Sequence, residues 1–237
     1  MFVVTFVRHG ETECNVANII QSHTPGQLTE RGVSMAERLG IHLADEKFTR
    51  IYSSDLKRCH DTTLNILKQS SHHVPEKEGY SVEELLVLDE MLRERSCGPL
   101  ELQPGEELAK IMRETGLKFP YMPIPGGEPY PDFKQRTAKF FNMLCKLADV
   151  AENEENVLVV THGGWLMGLL DHLVDCPHDI EDFDESLVHL RPHNTATTKL
   201  VIHKHDYSKS NEGSKRKVTV KHVHDISHLP DHLQKEA

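Results

Sequence analysis

The stretch Phe2-Val3-Val4-Thr5-Phe6-Val7-Arg8-His9-Gly10 decides the fold. Its first six residues are apolar or β-branched with a single polar Thr5, which is typical of a parallel strand buried on both faces. A second apolar run at 157–161 also ends on a His-Gly pair, His162-Gly163. Ligands of open parallel sheets bind beyond the carboxyl ends of the strands. We therefore expect both histidines to meet at one edge of one sheet.

Further strands and helices alternate along the chain. Apolar residues recur at helical or strand spacing, and polar capping residues or turns separate the segments. This alternation predicts an α/β fold, a three-layer, doubly wound and mostly parallel sheet with a C-terminal hairpin. The predicted elements are strands at 50–53 and 84–88, helices at 29–44, 56–67, 106–115 and 133–147, and hairpin strands at 198–203 and 217–223.

The length of 237 residues fits one domain over 1–237. Proline and glycine are concentrated at about 99–131, which predicts an insertion that covers the site. An acidic segment at 179–185 reads as a solvated connection, and the hairpin histidines at 203, 205, 222 and 224 read as an exposed strand face. From about residue 226 the composition predicts a frayed polar tail.

Composition excludes several classes of function. Asp and Glu number 37 against 27 Lys and Arg, and a net charge of -10 argues against nucleic-acid partners and polybasic membrane binding. No apolar run approaches the ~20 residues of a membrane-spanning helix. The five scattered cysteines include no Cys-x-x-Cys pair, which predicts a reducing, cytoplasmic location rather than a disulfide framework or zinc knuckle.

Reactive side chains follow four of the predicted strands. Any one of them alone is more often an ordinary loop residue than a catalytic one. Two strand-His-Gly units and two arginines in one chain are difficult to explain as solvated loops. The set comprises Arg8 and His9 after the first strand, Arg58 after the second, Glu94 after the third, and His162 and Gly163 after the fourth.

Phosphoryl transfer through a histidine suits this set. Arg8 and Arg58 would hold a phosphate dianion, since their planar forks match its oxygens. His9 would be the nucleophile, and Glu94 would protonate the leaving oxygen and then activate the acceptor. His162, protonated or through its ring N–H, and the next backbone N–H would stabilise charge on the equatorial oxygens. This chemistry requires no metal and no cofactor.

Five motifs carry a resemblance to a known family. In order and spacing they resemble the signature of the histidine phosphatase superfamily, also called phosphoglycerate mutase-like, over roughly residues 3 to 200. They are Val7-Arg8-His9-Gly10-Glu11-Thr12, Leu28-Thr29-Glu30-Arg31-Gly32, Ser53-Ser54-Asp55-Leu56-Lys57-Arg58, Leu92-Arg93-Glu94 and Val160-Thr161-His162-Gly163-Gly164.

The resemblance implies a role for each site residue. It implies a phosphohistidine enzyme that acts on a small phosphorylated metabolite. The implied roles are His9 as the phosphorylated histidine, Arg8, Arg58 and His162 as the rest of the phosphate pocket, Glu94 as the proton donor, and Asn15 and Gln21 as substrate contacts.

Within the superfamily the chain resembles the TIGAR-type fructose-2,6-bisphosphatases. The likeness lies at 48–49, 53–56, 92–95 and 125–128. It implies hydrolysis of fructose 2,6-bisphosphate to fructose 6-phosphate and a part in controlling glycolysis. Where such enzymes read Tyr-Gly and Glu-Gly, this chain has Cys97-Gly98 and Glu101-Leu102, which alters the pocket wall near Glu94. Substrate preference therefore stays open.

Three alternatives accompany this interpretation. A phosphoglycerate or bisphosphoglycerate mutase would, by the resemblance, carry Tyr in place of Cys97 and two adjacent arginines in the insertion. Here the insertion offers only separated Lys110, Arg113 and Lys118, which favours water as the acceptor. A broad-specificity phosphatase is the second alternative. A silent ligand-binding regulator is the third, and the retained Glu94 argues against it.

Overall fold

The computed structural model describes residues 1–69, 86–205 and 215–234. Strands and helices alternate as the sequence predicts. The strands are β1 (Phe2–Arg8), β2 (Arg50–Ser53), β3 (Leu86–Leu88), β4 (Glu155–Thr161), β5 (Asp179–Glu181), β6 (Thr197–Ile202) and β7 (Lys217–Asp225). The helices are α1 (Glu13–Val16), α2 (Glu30–His42), α3 (Lys57–Leu67), α4 (Glu106–Thr115), α5 (Tyr130–Val150), α6 (Gly163–Asp175) and α7 (Asp231–Gln234).

The strands form one mostly parallel sheet. In the described residues their order is β3-β2-β4-β1-β6-β7-β5. Strands β1, β2, β3 and β4 run parallel, whereas β6 runs antiparallel to both β1 and β7. This topology confirms the predicted α/β class and the C-terminal hairpin. Residues 84 and 85 of the predicted third strand lie outside the described residues.

Both faces of the sheet are covered, which gives three layers. Successive side chains of a strand point to opposite faces. Phe6 packs with α5 and α6 on one face, while Val7 packs with α2 and α3 on the other. Residues 157–160 of β4 are fully buried. Burial on both faces explains why β1 and β4 are apolar throughout.

The helix starts follow the capping expectations in part. Thr29 caps α2, and its hydroxyl accepts the N–H of Gly32 at 2.9 Å. Helix α3 has Leu56 at its cap position without a side-chain bond, so the residues at 53–55 do not cap it. No helix within the described ranges is both long and apolar enough to cross a bilayer.

The C-terminal segment differs from the prediction of a polar tail beginning near residue 226. Leu229 and Leu233 are buried and pack with Met35 of α2, and Ile226 joins them. A hydrogen bond from the Arg31 side chain to the Leu233 carbonyl, 2.9 Å long, joins the segment to α2 as well.

The acidic segment and the hairpin histidines are also more ordered than predicted. Strand β5 lies inside the acidic segment and pairs in parallel with β7. The ring nitrogens of His203, His222 and His224 lie 3.0 to 3.4 Å from the hydroxyls of Thr219, Thr197 and Thr198, respectively. These three half-buried histidines therefore contribute to strand pairing.

Candidate active site

A cavity of about 490 Å³ opens at the carboxyl ends of β1 and β4. The backbone N–H of His9 donates to the carbonyl of Thr161 at 2.9 Å, so the two His-Gly units lie side by side as expected. Of the residues singled out in the sequence, His162 alone does not line the cavity. The others do: Arg8, His9, Asn15, Gln21, Arg58, Glu94 and Gly163.

The tautomer of His9 leaves one ring nitrogen available for attack. Its Nδ1 lies 2.8 Å from the carbonyl of Gly10 and must donate, because a carbonyl can only accept. Nε2 therefore carries the lone pair. Burial, and next the positive charges of Arg58 and Arg8, lower the pKa of His9 well below 6.5. His9 is consequently neutral at physiological pH, the form that a nucleophile needs.

His162 lies behind His9, fully buried, with a ring-centroid distance of 5.3 Å. Arg58 donates to its Nδ1 at 3.0 Å, so Nε2 carries the hydrogen and donates to the hydroxyl of Ser54 at 2.9 Å. Burial, followed by the charge of Arg58, lowers the pKa of His162 well below 6.5. This corrects the sequence interpretation in one respect: His162 is neutral and its N–H points to Ser54.

Backbone carbonyls fix the two arginines. Arg58 donates to the carbonyls of Ser22 at 2.6 Å and Thr24 at 3.0 Å, and its Nε is buried without a partner among the described residues. Arg8 donates to the carbonyl of Pro192 at 2.6 Å. Both guanidinium groups are almost wholly buried. A Cβ at Gly163 would make only ordinary van der Waals contact with Arg8, at 3.4 Å from its Nε.

Two backbone N–H groups hold the carboxylate of Glu94. Its Oε1 accepts the N–H of Arg95 at 2.8 Å, and its Oε2 accepts that of Gly164 at 2.9 Å. A Cβ at Gly164 would lie 2.3 Å from Oε1, so a larger residue there would displace the Glu94 carboxylate. The Glu94 carbonyl in turn accepts from His23 and Arg136 at 2.7 and 3.2 Å. The predicted proton donor is thus fixed in position.

Asn15 and Gln21 present amide groups to the cavity. The Asn15 oxygen accepts from the backbone of Thr12 at 3.1 Å and from Asn194 at 3.3 Å. The Gln21 oxygen accepts from the Thr12 hydroxyl at 2.9 Å, and its Nε2 is buried without a partner in the described part of the chain. That amide nitrogen packs against Gly26, where an added Cβ would lie 1.5 Å from it, so the substrate contact expected of Gln21 stays a prediction.

Two further residues hold the backbone of His9 and Gly10. Thr62 accepts the backbone N–H of Gly10 at 2.9 Å, and Asn194 donates to the carbonyl of His9 at 2.9 Å. Thr62 lies one helical turn after Arg58 and accompanies the 53–58 motif in the resemblance, whereas no sequence signal marks Asn194. Other wall residues come from the predicted insertion and from the connection before β6: Leu108, Met112, Lys118, Phe119, His189 and Arg191. Leu108 and Met112 lie at helical spacing on the predicted helix 106–115, whereas no periodic pattern marks the other four.

Comparison with known protein families agrees with this geometry. The sequence model of the family described as "Histidine phosphatase superfamily (branch 1)" matches residues 4–211 of this chain. The chain therefore belongs to the histidine phosphatase superfamily, which confirms the resemblance seen in its motifs.

Individual relatives refine the comparison. The chain is 31% identical to "Fructose-2,6-bisphosphatase TIGAR" of Bos taurus, over 73% of this chain and 77% of that protein. It is 34% identical to the Mus musculus protein of the same name, over 70% of this chain but only 59% of that one. The phosphoglycerate mutase structure from Bacillus anthracis str. Sterne has the same fold, with a TM-score of 0.71 and 24% identity over 96% of this chain and 94% of that one.

Proposed function

We propose that this protein is a phosphatase that hydrolyses small phosphorylated metabolites through a phosphohistidine on His9, with fructose 2,6-bisphosphate as substrate. One observation carries the proposal. A neutral His9, with Nε2 available, lies in a cavity that Arg8, Arg58 and Glu94 also line. This combination provides a nucleophile, an anion clamp and a proton donor together.

The first step transfers the phosphoryl group to the enzyme. Nε2 of His9 attacks phosphorus, and the bond from phosphorus to the leaving oxygen breaks. The leaving oxygen keeps the electron pair and takes a proton from Glu94. In the second step the oxygen of a water molecule bonds to phosphorus while the bond from phosphorus to Nε2 breaks and its electron pair returns to Nε2. The attacking water gives up a proton, which restores the protonated carboxyl of Glu94. Phosphate leaves, and His9 is again neutral.

The charge that develops on the phosphoryl oxygens meets a prepared environment. Arg8 and Arg58 are already held by protein carbonyls, so they need little rearrangement during the reaction. Helix α6 begins at Gly163, and its N-terminal dipole also favours an anion at this edge of the sheet.

The relatives named TIGAR support fructose 2,6-bisphosphate as the substrate. The insertion carries separated Lys110, Arg113 and Lys118 rather than two adjacent arginines, which supports water rather than a second metabolite as the phosphoryl acceptor. The five free cysteines, two of them half-buried and three buried, fit the cytosolic location included in this proposal.

Phosphate release by the chelator-treated protein tests the proposal. The panel comprises fructose 2,6-bisphosphate, 2,3-bisphosphoglycerate, 3-phosphoglycerate, phosphoenolpyruvate and an aryl phosphate. We expect preference for the first compound, loss of turnover in His9→Ala, and full turnover in the exposed control His232→Ala. Isomerisation of 3-phosphoglycerate without phosphate release would replace this proposal with the mutase, and binding without turnover would replace it with the regulator.

A further inference from the structure

Glu94 lies on a segment that the sheet does not hold. Residues 94–97 belong to no helix or strand, whereas the backbone N–H of His9 bonds to Thr161 at the end of β4. A proton donor must reach the leaving oxygen within hydrogen-bond distance, and a displacement of about 1 Å costs much of the rate. The backbone that carries Glu94 therefore needs another means of support.

Arg136 of α5 supplies this support. Its guanidinium donates five hydrogen bonds, as many as it has N–H groups, and three of them go to backbone carbonyls. These carbonyls belong to Met91 at 2.9 Å, Arg93 at 2.8 Å and Glu94 at 3.2 Å. The guanidinium carbon also lies 5.1 Å from the ring centroid of Phe133, which is fully buried one turn earlier. A fixed planar fork thus holds the chain at and just before Glu94.

Glu128, in the predicted insertion, holds the chain on the other side of Glu94. Its carboxylate accepts the two remaining bonds of Arg136, at 3.0 and 2.8 Å, as a bidentate pair. The same carboxylate accepts the backbone N–H of Ser96 at 3.2 Å, and the Glu128 N–H donates to the Ser96 carbonyl at 2.9 Å. The ion pair therefore joins α5, the insertion and both flanks of the proton donor.

Two other roles for this ion pair can be separated from positioning. Neither Arg136 nor Glu128 lines the cavity, so a direct contact with substrate does not account for them. An effect of charge alone is the second role. Burial is the main cause of the lowered pKa of His162, and the charge of Arg136 is a minor one. Lysine at position 136 would keep this charge but lose the fork.

We propose that Arg136 and Glu128 are positioning residues for the reaction, which fix the backbone from Arg93 to Ser96 so that the Glu94 carboxyl reaches the leaving oxygen. The inference rests on the proposed function, in which Glu94 protonates that oxygen. It assigns to the insertion a part in proton transfer, through Glu128. Arg136 and Glu128 themselves touch no reacting atom.

The dependence of kcat/KM on the leaving group tests the inference in Arg136→Lys. Dinitrophenolate leaves without a proton, whereas phenol needs one, and kcat/KM reports the step in which the leaving oxygen departs. We expect kcat/KM to fall by about tenfold with phenyl phosphate and by less than about twofold with dinitrophenyl phosphate. Glu128→Gln should show the same pattern. Retained turnover of dinitrophenyl phosphate also shows that each variant is folded.

The matched control is Arg113→Lys, which alters an exposed ion pair with Glu106 on α4 and should leave both kcat/KM values unchanged. A double variant separates positioning from general damage. In a Glu94→Gln background, Arg136→Lys should cost nothing more, because no donor is left to position. Losses that multiply in the double variant, or equal losses with the two aryl phosphates, would overturn the inference.

The placement of Glu94 can also be measured without turnover. The N–H groups of Arg95 and Gly164 donate to its carboxylate, so both amides should exchange hydrogen faster in Arg136→Lys and at the original rate in Arg113→Lys. Unchanged exchange at both amides in Arg136→Lys would overturn the inference. Faster exchange in that variant, with no turnover of either aryl phosphate by the wild type, would refute the phosphatase and leave the positioning role intact.

Discussion

The inner and outer ends of the cavity are built differently. At the inner end, Arg8, His9 and Arg58 are each less than 5% exposed and are held by backbone groups. At the outer end, Lys118 and Arg191 are exposed and without partners in the described residues. Reaction at the inner end requires fixed geometry, and the burial and backbone hydrogen bonds of these residues provide it, whereas the outer side chains are not fixed by such bonds.

The sheet explains the difference. Arg8 is the last residue of β1 and His9 follows it, so neighbouring strands fix their backbone. Arg58 lies in the first turn of α3, which packs on the sheet. The outer residues lie on connections that can vary without disturbing the core. Substitutions at the inner end should therefore reduce kcat, and substitutions at the outer end should mainly change KM.

Glu94→Gln should have the largest effect. The amide keeps the size of the side chain but cannot donate the proton that the leaving oxygen needs, so we expect kcat to fall by ~10²–10⁴-fold. Substrate binding to the variant, measured by calorimetry, should persist. The control Glu107→Gln, on the exposed face of α4, should keep full activity. Unchanged phosphate release by Glu94→Gln would show that another group donates the proton.

Arg58→Lys should have the next largest effect. Lysine keeps the charge but loses the fork that bonds Ser22, Thr24 and His162. We expect kcat to fall by ~10²-fold, as when one preorganised donor is removed from an active site. Steady-state kinetics with an aryl phosphate measure this effect, with Arg113→Lys on exposed α4 as control. An unaltered kcat would mean that charge alone suffices at the inner end.

His228 is a buried histidine close to the inner end of the cavity, and its titration should make the free energy of unfolding depend on pH. His228 Nε2 lies 3.0 Å from the hydroxyl of Thr195, whose N–H donates to the Arg8 carbonyl at 3.0 Å. Burial lowers the pKa of His228 to about 4. The unfolded chain, with a pKa near 6.5, binds the proton first, so this contribution is present above pH 6.5 and is lost as pH falls toward 4.

The expected size is about 2 kcal/mol of unfolding free energy lost between pH 7 and pH 5 through His228. Urea denaturation at the two pH values measures it, and His228→Gln should show a correspondingly smaller loss. His232→Gln, exposed in α7, should behave as the wild type. Equal losses in His228→Gln and the wild type would show that His228 does not titrate as its burial predicts. Other histidines with lowered pKa values, such as the half-buried His224 with a pKa of about 4, add to the loss in every variant.

The inner end was predictable because its residues adjoin strong patterns. Arg8 and His9 follow an apolar strand directly, and His162 follows another, so periodicity alone places them at one edge. The tautomer of His162 was not predictable, because Arg58 and Ser54 fix it from distant parts of the chain.

The outer end offered no such pattern. Lys118 lies in a Pro- and Gly-rich segment, and Arg191 lies in an irregular connection, so only the tertiary fold shows that both line one cavity. The prediction of a polar C-terminal tail was wrong for a related reason. Leu229 and Leu233 are isolated among charged and polar neighbours, and they are buried only because they pack against Met35, which is almost two hundred residues away in sequence.

The smallest expected effect concerns Leu102, which contacts the cavity residue Ile20 without lining the cavity itself. Leu102 adopts a φ of +65°, a left-handed conformation that costs a side chain about 1 kcal/mol or more, and it is 59% exposed. Its N–H donates to the carbonyl of Ile20, a cavity residue, at 2.7 Å. Leu102→Gly should remove the strain with little loss of packing and stabilise the fold by about 0.5–1 kcal/mol, despite the greater freedom of glycine when unfolded. Leu117→Gly, at an exposed leucine without positive φ, should destabilise instead. Thermal unfolding measures the Tm of the two variants, and a lower Tm in both would show that the backbone at Leu102 is not strained.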